Sequence, residues 1–468
     1  MPITGKNWIQ PSTGDPFLSY RHIAPYCLTI IASLFAALLG RPLASYAEDS
    51  RPNFMIIVTD DQRYDTMGEF MPITQAEIFD QGMTFERAYV TTPSCCPSRS
   101  SIFTGMYAHN HGVRLNEIKL TKTTFIQRLS EAGYFTGIAG KYLNSWPGTP
   151  RPEFNFWSVF RFGDSEYFNP VLNRNGVRAT REGYLTDILR DDALDFLSQA
   201  AQQEKPFMFL LAPFSPHAPS EPSPEDAQKF EDLPPFRPPN YGITHLAGKP
   251  NWIRDRDQLS KTRLARIDIF RKNQLRTNLA VDRSVGAILA RMRELGVLDN
   301  TVVFFLSDNG VLWGEHGLTS KDCVYEPAIR VPFAIRYPPL VPVAHVEKRQ
   351  IANIDIAPTI YSLAGIPTPQ EVDGTSLIPL LNQTATTWRQ SIIIEGWRND
   401  ENRRPFRAIH TATHVYVESK GGEPELYDLV ADPHQIRNLA KAPGKRDIEK
   451  NLKAKLRTAF SHARRPKR

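Results

Sequence analysis

The chain has 468 residues, 41% hydrophobic and 23% charged, with a formal net charge of +6. That is an ordinary soluble globular composition, long enough for one large domain plus a smaller one and able to bury a core without staples. The four cysteines, three once Cys27 leaves with an N-terminal leader, give no disulfide framework, and the absence of CxxC or matching His spacing argues against a zinc module. A basic balance favours acidic substrates or polyanions. Much of the excess lies in the run from Lys441 to Arg468, which reads as a solvated tail, and no nucleic-acid motif accompanies it.

The N-terminal stretch reads as a signal peptide over residues 1–47. Arg21 precedes an apolar run from Leu28 to Leu39, and Ser45 and Ala47 supply small residues for cleavage before Glu48. A run of about a dozen residues is short against the about 20 that a membrane span needs. The expectation is an exported protein, with Cys27 leaving with the leader and no stable span in the mature chain.

Residues 53–59 form a short apolar run of β type, followed at once by Asp60 and Asp61. Phe207 to Leu211 is a second such run, before Ser215-Pro216-His217. Thr301 to Leu306 is a third, before Ser307-Asp308-Asn309-Gly310. Ligands of open α/β sheets sit at the carboxyl ends of strands, so three buried strands with such endings point to a site. Helical spacing covers Phe125 to Ala132, Tyr184 to Ala200 and Thr277 to Leu295, and the alternation predicts a mainly parallel α/β sheet. Ser220 to Trp252 is rich in Pro, Asn and Gly and reads as a long surface excursion that helps line a substrate cleft. The expected catalytic domain spans 48–385. Beyond it, short β-like runs at 391–395, 406–411, 414–418 and 425–428 predict a smaller α+β domain over 386–468, with an antiparallel sheet and the basic tail.

The strongest local feature is Pro93-Ser94-Cys95-Cys96-Pro97-Ser98-Arg99-Ser100-Ser101-Ile102-Phe103-Thr104-Gly105. Pro97 suits the first turn of a helix, so Cys95 lies just before a helix N-terminus. Backbone N–H groups and the helix dipole favour an anion there, and Arg99 stands one turn in. The same residues equally suit a helix start with two buried thiols, and the local pattern leaves both readings open.

This segment resembles the type I sulfatase signature, Cys-x-Pro-Ser-Arg followed by an apolar pair and Thr-Gly, at every position. The resemblance implies an alkaline-phosphatase-like α/β fold and conversion of Cys95 to formylglycine by a maturation enzyme. It implies Asp60, Asp61, Asp308 and Asn309 as ligands, with the Cys95-derived oxygen, of a hard cation. The family's cation is Ca²⁺, and Mg²⁺ equally suits an oxygen set. It further implies that Lys141, in Gly140-Lys141-Tyr142-Leu143-Asn144, lies near the nucleophile, that His217 is catalytic, and that Lys321 contacts the sulfate. Arg99 and the two lysines would neutralise the transferring group. The 353–359, 373–374 and 426–439 segments are similar to further family landmarks. Cys95 to Arg99, Tyr107 to His111 and Lys141 to Asn144 most resemble the N-acetylglucosamine-6-sulfatase and extracellular heparan-sulfate sulfatase branch. The implied function is sulfuric ester hydrolysis on a sulfated carbohydrate or aryl sulfate. A phosphonate or phosphate monoester hydrolase of the same superfamily and a non-catalytic sulfated-glycan-binding protein are the rivals. One position departs from many arylsulfatases: Leu143 stands where they carry a histidine, and His109 and His111 are the candidates to replace it.

Overall fold

The apolar run at 53–59 forms β1 (Asn53–Thr59), buried at every residue. Alternate side chains serve two cores: Phe54, Ile56 and Val58 face one, Met55 and Ile57 the other. A strand buried on both faces reads as a continuous apolar run, as in a sheet covered by helices on each side. The computed structural model describes residues 51–243, 248–398 and 403–462. The expected signal peptide and the end of the basic tail lie outside the described residues.

The remaining strands follow in chain order. They are β2 (Met83–Phe85), β3 (Ala88–Tyr89), β4 (Phe135–Gly140), β5 (Phe156–Val159), β6 (Val171–Arg174), β7 (Val177–Thr180), β8 (Phe207–Ala212) and β9 (Thr301–Ser307). Next come β10 (Phe333–Arg336), β11 (His345–Glu347), β12 (Ile351–Ala352), β13 (Ser391–Gly396), β14 (Phe406–Thr411), β15 (His414–Ser419) and β16 (Glu425–Asp428). Ten of them form one sheet in the order β11-β2-β10-β9-β1-β8-β4-β5-β6-β7. Its centre, β9-β1-β8-β4-β5, is parallel throughout. β10 and the β6–β7 hairpin add antiparallel edges. One face is covered by helices Leu185–Ala200 and Lys261–Glu294, through residues such as Leu189, Phe196, Val281 and Ile288. The other is covered by Cys95–Thr104, Phe125–Glu131 and Ile356–Leu363.

The helix expected from Thr277 begins earlier, at Lys261. Its first half is rich in Lys and Arg, and of its apolar residues only Ile267 and Leu275 are buried, so apolar periodicity marks only the second half. Ser260 caps it, its side chain accepting from the Arg263 N–H.

The C-terminal strands form a separate antiparallel sheet, β13-β14-β15-β16. Ile392, Ile394, Ala408 and Val415 turn one face into the same core as β1. Ile393, Ile409, Tyr416 and Leu426 turn the other face to helix Arg446–His462, through Leu452, Leu456 and Phe460. Among the described residues, no helix is long and apolar enough to cross a membrane.

Candidate active site

Four neighbouring parallel strands deliver polar residues to one edge. Thr59 of β1 is in register with Ser307 of β9, so Asp60 and Asp308 emerge side by side. The Asp308 N–H donates to Thr59 O at 3.0 Å. β8 ends at Ala212 and turns into the His217 loop, and the Asp60 N–H donates to Ser215 O at 3.2 Å. Gly140 of β4 pairs with Ala212, and Lys141 follows. Gly140 has φ of +108°, and a Cβ there would collide with the Ala212 carbonyl oxygen, so only glycine lets β4 close on β8.

The helix that carries the cysteine motif starts at Cys95 itself, with Ser94 as N-cap, so Pro97 occupies its third position. All ten of its residues are buried. Cys95 Sγ lies 3.5 Å from Asp60 Oδ1 and receives Lys321 Nζ at 2.8 Å. Lys321 also donates to Asp61 Oδ1, and Lys141 Nζ donates to Asp60 Oδ2 at 2.5 Å. Arg99 is fully buried; its Nε donates to Asp308 Oδ2 at 2.8 Å and its Nη1 to the Lys141 carbonyl at 2.9 Å. Asn309 Nδ2 donates to Asp61 Oδ1 at 2.6 Å, and the Asp61 N–H donates to Asp308 Oδ1 at 3.2 Å. Asp61 holds a left-handed backbone, φ 64°, a region in which Asp is enriched.

His217 enters from the side. Its Nδ1 is 2.7 Å from the Ala218 carbonyl, which can only accept, so the proton sits on Nδ1. Nε2 then lies 3.8 Å from Asp61 Oδ2. Tyr167 Oη donates to the His217 carbonyl at 2.6 Å and fixes the loop. Ligand-capable atoms of Asp60, Asp61, Cys95 and His217 all fall within 4.8 Å of one another. His217 thus joins the expected ligand-capable acids, while Asp308 and Asn309 meet the cluster through hydrogen bonds to Asp61.

Charges are shared tightly here. Burial alone would raise the Asp60 carboxyl, but Lys141, His217 and Arg99 hold it below its usual value. Burial likewise opposes ionisation of Asp61, and Lys321 and His217 reverse the effect. Burial would lower Lys321, yet Asp61 and its neighbours hold it well above its usual value. The Cys95 thiol is pushed up by burial, against Lys141 and Lys321, so the plain thiol is neutral at neutral pH.

The two remaining candidates bond elsewhere. His109 Nδ1 meets Glu395 of β13 at 3.0 Å, and its ring packs on Phe460. His111 is buried; its Nδ1 accepts from the Val113 N–H and its Nε2 meets Ser101 Oγ, each at 3.0 Å. Leu143 is buried in the apolar core. Sequence reasoning missed a cavity of ≈ 210 Å³ beside Lys321, walled by Trp252, Arg256, Arg263, Asp322 and Arg403. No motif marks these residues, and only the long excursion ending at Trp252 hinted at them.

A family model described as Sulfatase matches residues 52–366. A second, described as N-sulphoglucosamine sulphohydrolase, C-terminal, matches residues 314–462. The chain is 32% identical to human N-acetylglucosamine-6-sulfatase over 90% of its own length and 87% of that protein. It is 33% identical over 75% of its length to an extracellular sulfatase SULF-1 homolog of Drosophila melanogaster, of which it spans only 33%. A solved structure in complex with its substrate, D-glucosamine-2-N,6-O-disulfate, superposes with a TM-score of 0.80 at 25% identity, over 88% of this chain and 98% of that one. With the strand-end acids, the Cys95 helix and these matches in agreement, the chain belongs to the sulfatase family.

Proposed function

We propose that the protein hydrolyses the sulfate ester of a sulfated glucosamine or related glycan, using Cys95 after its conversion to formylglycine by a maturation enzyme. The observation that carries this reading is the place of Cys95 Sγ. It lies against Lys321 Nζ and Asp60 Oδ1, at the strand edge that gathers Asp60, Asp61, Asp308 and Asn309. As a buried thiol it is a poor nucleophile, whereas a hydrated aldehyde there supplies one hydroxyl to attack sulfur and a second whose deprotonation expels sulfate.

The donor set suits a hard cation. Asp60 and Asp61 are held ionised, and Asn309 Oδ1 is buried without a hydrogen-bond partner. Asp60, Asp61, Asp308 and Asn309 would hold Ca²⁺, which when bound would lower the pKa of a hydroxyl beside it. Arg99, Lys141 and Lys321 bring three buried or half-buried cations to the transferring group, where a water-poor setting strengthens electrostatic stabilisation. As an imidazolium, His217 keeps Nδ1–H on the Ala218 carbonyl and gives the Nε2 proton to the departing alcohol. Leu143 cannot exchange a proton. Of the groups that touch the Cys95 side chain, Lys321 is already an ammonium, so the proton leaving that side chain in each turnover passes to the Asp60 carboxylate.

The human relative is named an N-acetylglucosamine-6-sulfatase and the superposed structure holds a 6-O-sulfated glucosamine, which together favour that sugar class. The N-terminal pattern and the name of the fly relative support the reading that the protein is exported. Changing Cys95 to Ala or Ser is expected to lower sulfate release from N-acetylglucosamine 6-sulfate by at least about 10³-fold, the scale of losing a nucleophile. Substantial turnover by either variant would sink the proposal. A wild-type preference for paired phosphonate esters over sulfate esters would replace the substrate class.

A further inference from the structure

A separate cavity of ≈ 380 Å³ shares none of its walls with the cysteine cluster. Lys348, Arg349 and Gln350 come from the turn after β11, Trp388 and Arg389 from the segment before β13, and Ala412 from the turn between β14 and β15. β11 is the outermost strand of the large sheet, three places from β9. At roughly 4.8 Å per strand it lies about 14 Å from β9. β11 is parallel to β2, which is antiparallel to β10, itself antiparallel to β9, so β11 and β9 run the same way. Lys348 therefore emerges on the edge of the sheet that also carries Asp308.

Three features of the walls suit one kind of ligand. Trp388 is half-buried, and its Nε1 donates to the Gln350 carbonyl at 2.8 Å, which fixes the ring as an apolar face among polar groups. Gln350 is 4% exposed; its Nε2 donates to His410 O at 3.3 Å, while its Oε1 has no hydrogen-bond partner. A buried acceptor without a donor is costly, and a ligand hydroxyl on it removes that cost. No carboxylate among the described residues lines the cavity. Glu347 matches Arg349 and Asp355 matches Arg389, each from outside the lining. Lys348 is exposed and forms no ion pair among the described residues, so its charge is left over to draw an anion. The volume falls within the about 300–1,000 Å³ of small-molecule sites.

We infer that this cavity is a second carbohydrate site, which holds an anionic sugar of a sulfated glycan with its ring against Trp388, a hydroxyl on Gln350 Oε1 and its acid group on Lys348. An ammonium binds sulfate or carboxylate oxygens through charge-assisted hydrogen bonds. One sugar cannot reach both this cavity and the cysteine cluster, whereas an oligosaccharide laid along the shared edge can. The inference rests on the sulfated-glycan reading and adds that the protein grips a glycan chain at a point remote from the ester it cleaves.

The test titrates a heparin hexasaccharide into the Cys95→Ala protein by calorimetry, and follows turnover of N-acetylglucosamine 6-sulfate by protein that keeps Cys95. Lys348→Glu and Trp388→Ala, each added to Cys95→Ala, should weaken hexasaccharide binding by about tenfold, the worth of one charge-assisted hydrogen bond or one aromatic contact. In protein that keeps Cys95, the same changes should leave kcat/KM for the monosaccharide unchanged. Lys348 is exposed, so Lys348→Glu reads the site even where Trp388→Ala fails to fold. Absence of hexasaccharide binding, an affinity that Lys348→Glu or a folded Trp388→Ala leaves unchanged, or monosaccharide turnover that falls in step with that affinity, would overturn the inference. Hydrolysis of no sulfate ester, with hexasaccharide binding still dependent on Lys348, would instead overturn the substrate reading alone.

Discussion

Buried between the Ser101 hydroxyl and the Val113 N–H, His111 is kept neutral. Burial, helped by His109, lowers its pKa from 6.5 to about 3. Below 6.5 the unfolded chain binds a proton that the native chain refuses, so stability falls as the pH drops from 6.5 toward about 3. The slope contributed by one such group is at most about 1.4 kcal/mol per pH unit. His111→Gln should flatten the acid limb of urea-unfolding free energy across this window, and an unchanged limb would refute the assignment. The residue scale also shows where motif reading stops. Asp60, Asp61, Lys141, Asp308 and Asn309 directly follow strands and Cys95 opens a helix, with Arg99 one turn in, while His217 and Lys321 reach the cluster from the loops after β8 and β9. His109 and His111 follow the same helix by sequence, but Glu395 and Ser101 capture their rings. Nothing in the local pattern announces a partner 286 residues away.

Elements supply the precision that single residues lack. The β9-β1-β8-β4 order puts Asp308, Asp60, His217 and Lys141 on one edge only if the registers hold. Gly140 is the tightest of these constraints, with its left-handed φ and the Ala212 carbonyl against its Cα. Gly140→Ala should destabilise the fold by roughly 2–4 kcal/mol, combining a strained backbone with a steric clash. It should also lower kcat more than KM, because Lys141 moves with β4. A variant with wild-type Tm and turnover would show that the register is not held there. The central strands were legible because strands buried on both faces are written as apolar runs. The β6–β7 hairpin and the first half of helix Lys261–Glu294 were not, since β7 is exposed throughout and that half-helix is mostly polar. Their conformations are set by neighbours rather than by periodicity.

At the scale of the whole molecule, the C-terminal sheet is bound into the structure rather than appended to it. Ile392, Ile394 and Val415 share a core with β1, and Glu395 reaches His109 behind the cysteine helix. The change of character near residue 385 revealed a second sheet but not this shared core, because alternation along a strand does not say what its apolar face will meet. The cavity walls were illegible for the same reason: Trp252, Arg263, Asp322 and Arg403 come together only through tertiary structure. What unites these scales is the chemistry assigned to one side chain. Peptide mass spectrometry of catalytically active protein, on the fragment that contains Cys95, tests it most directly. The account predicts an aldehyde, or its hydrate, at Cys95 with Cys96 unmodified, in a proportion that tracks specific activity; fully active protein whose Cys95 is entirely an unmodified thiol would contradict it.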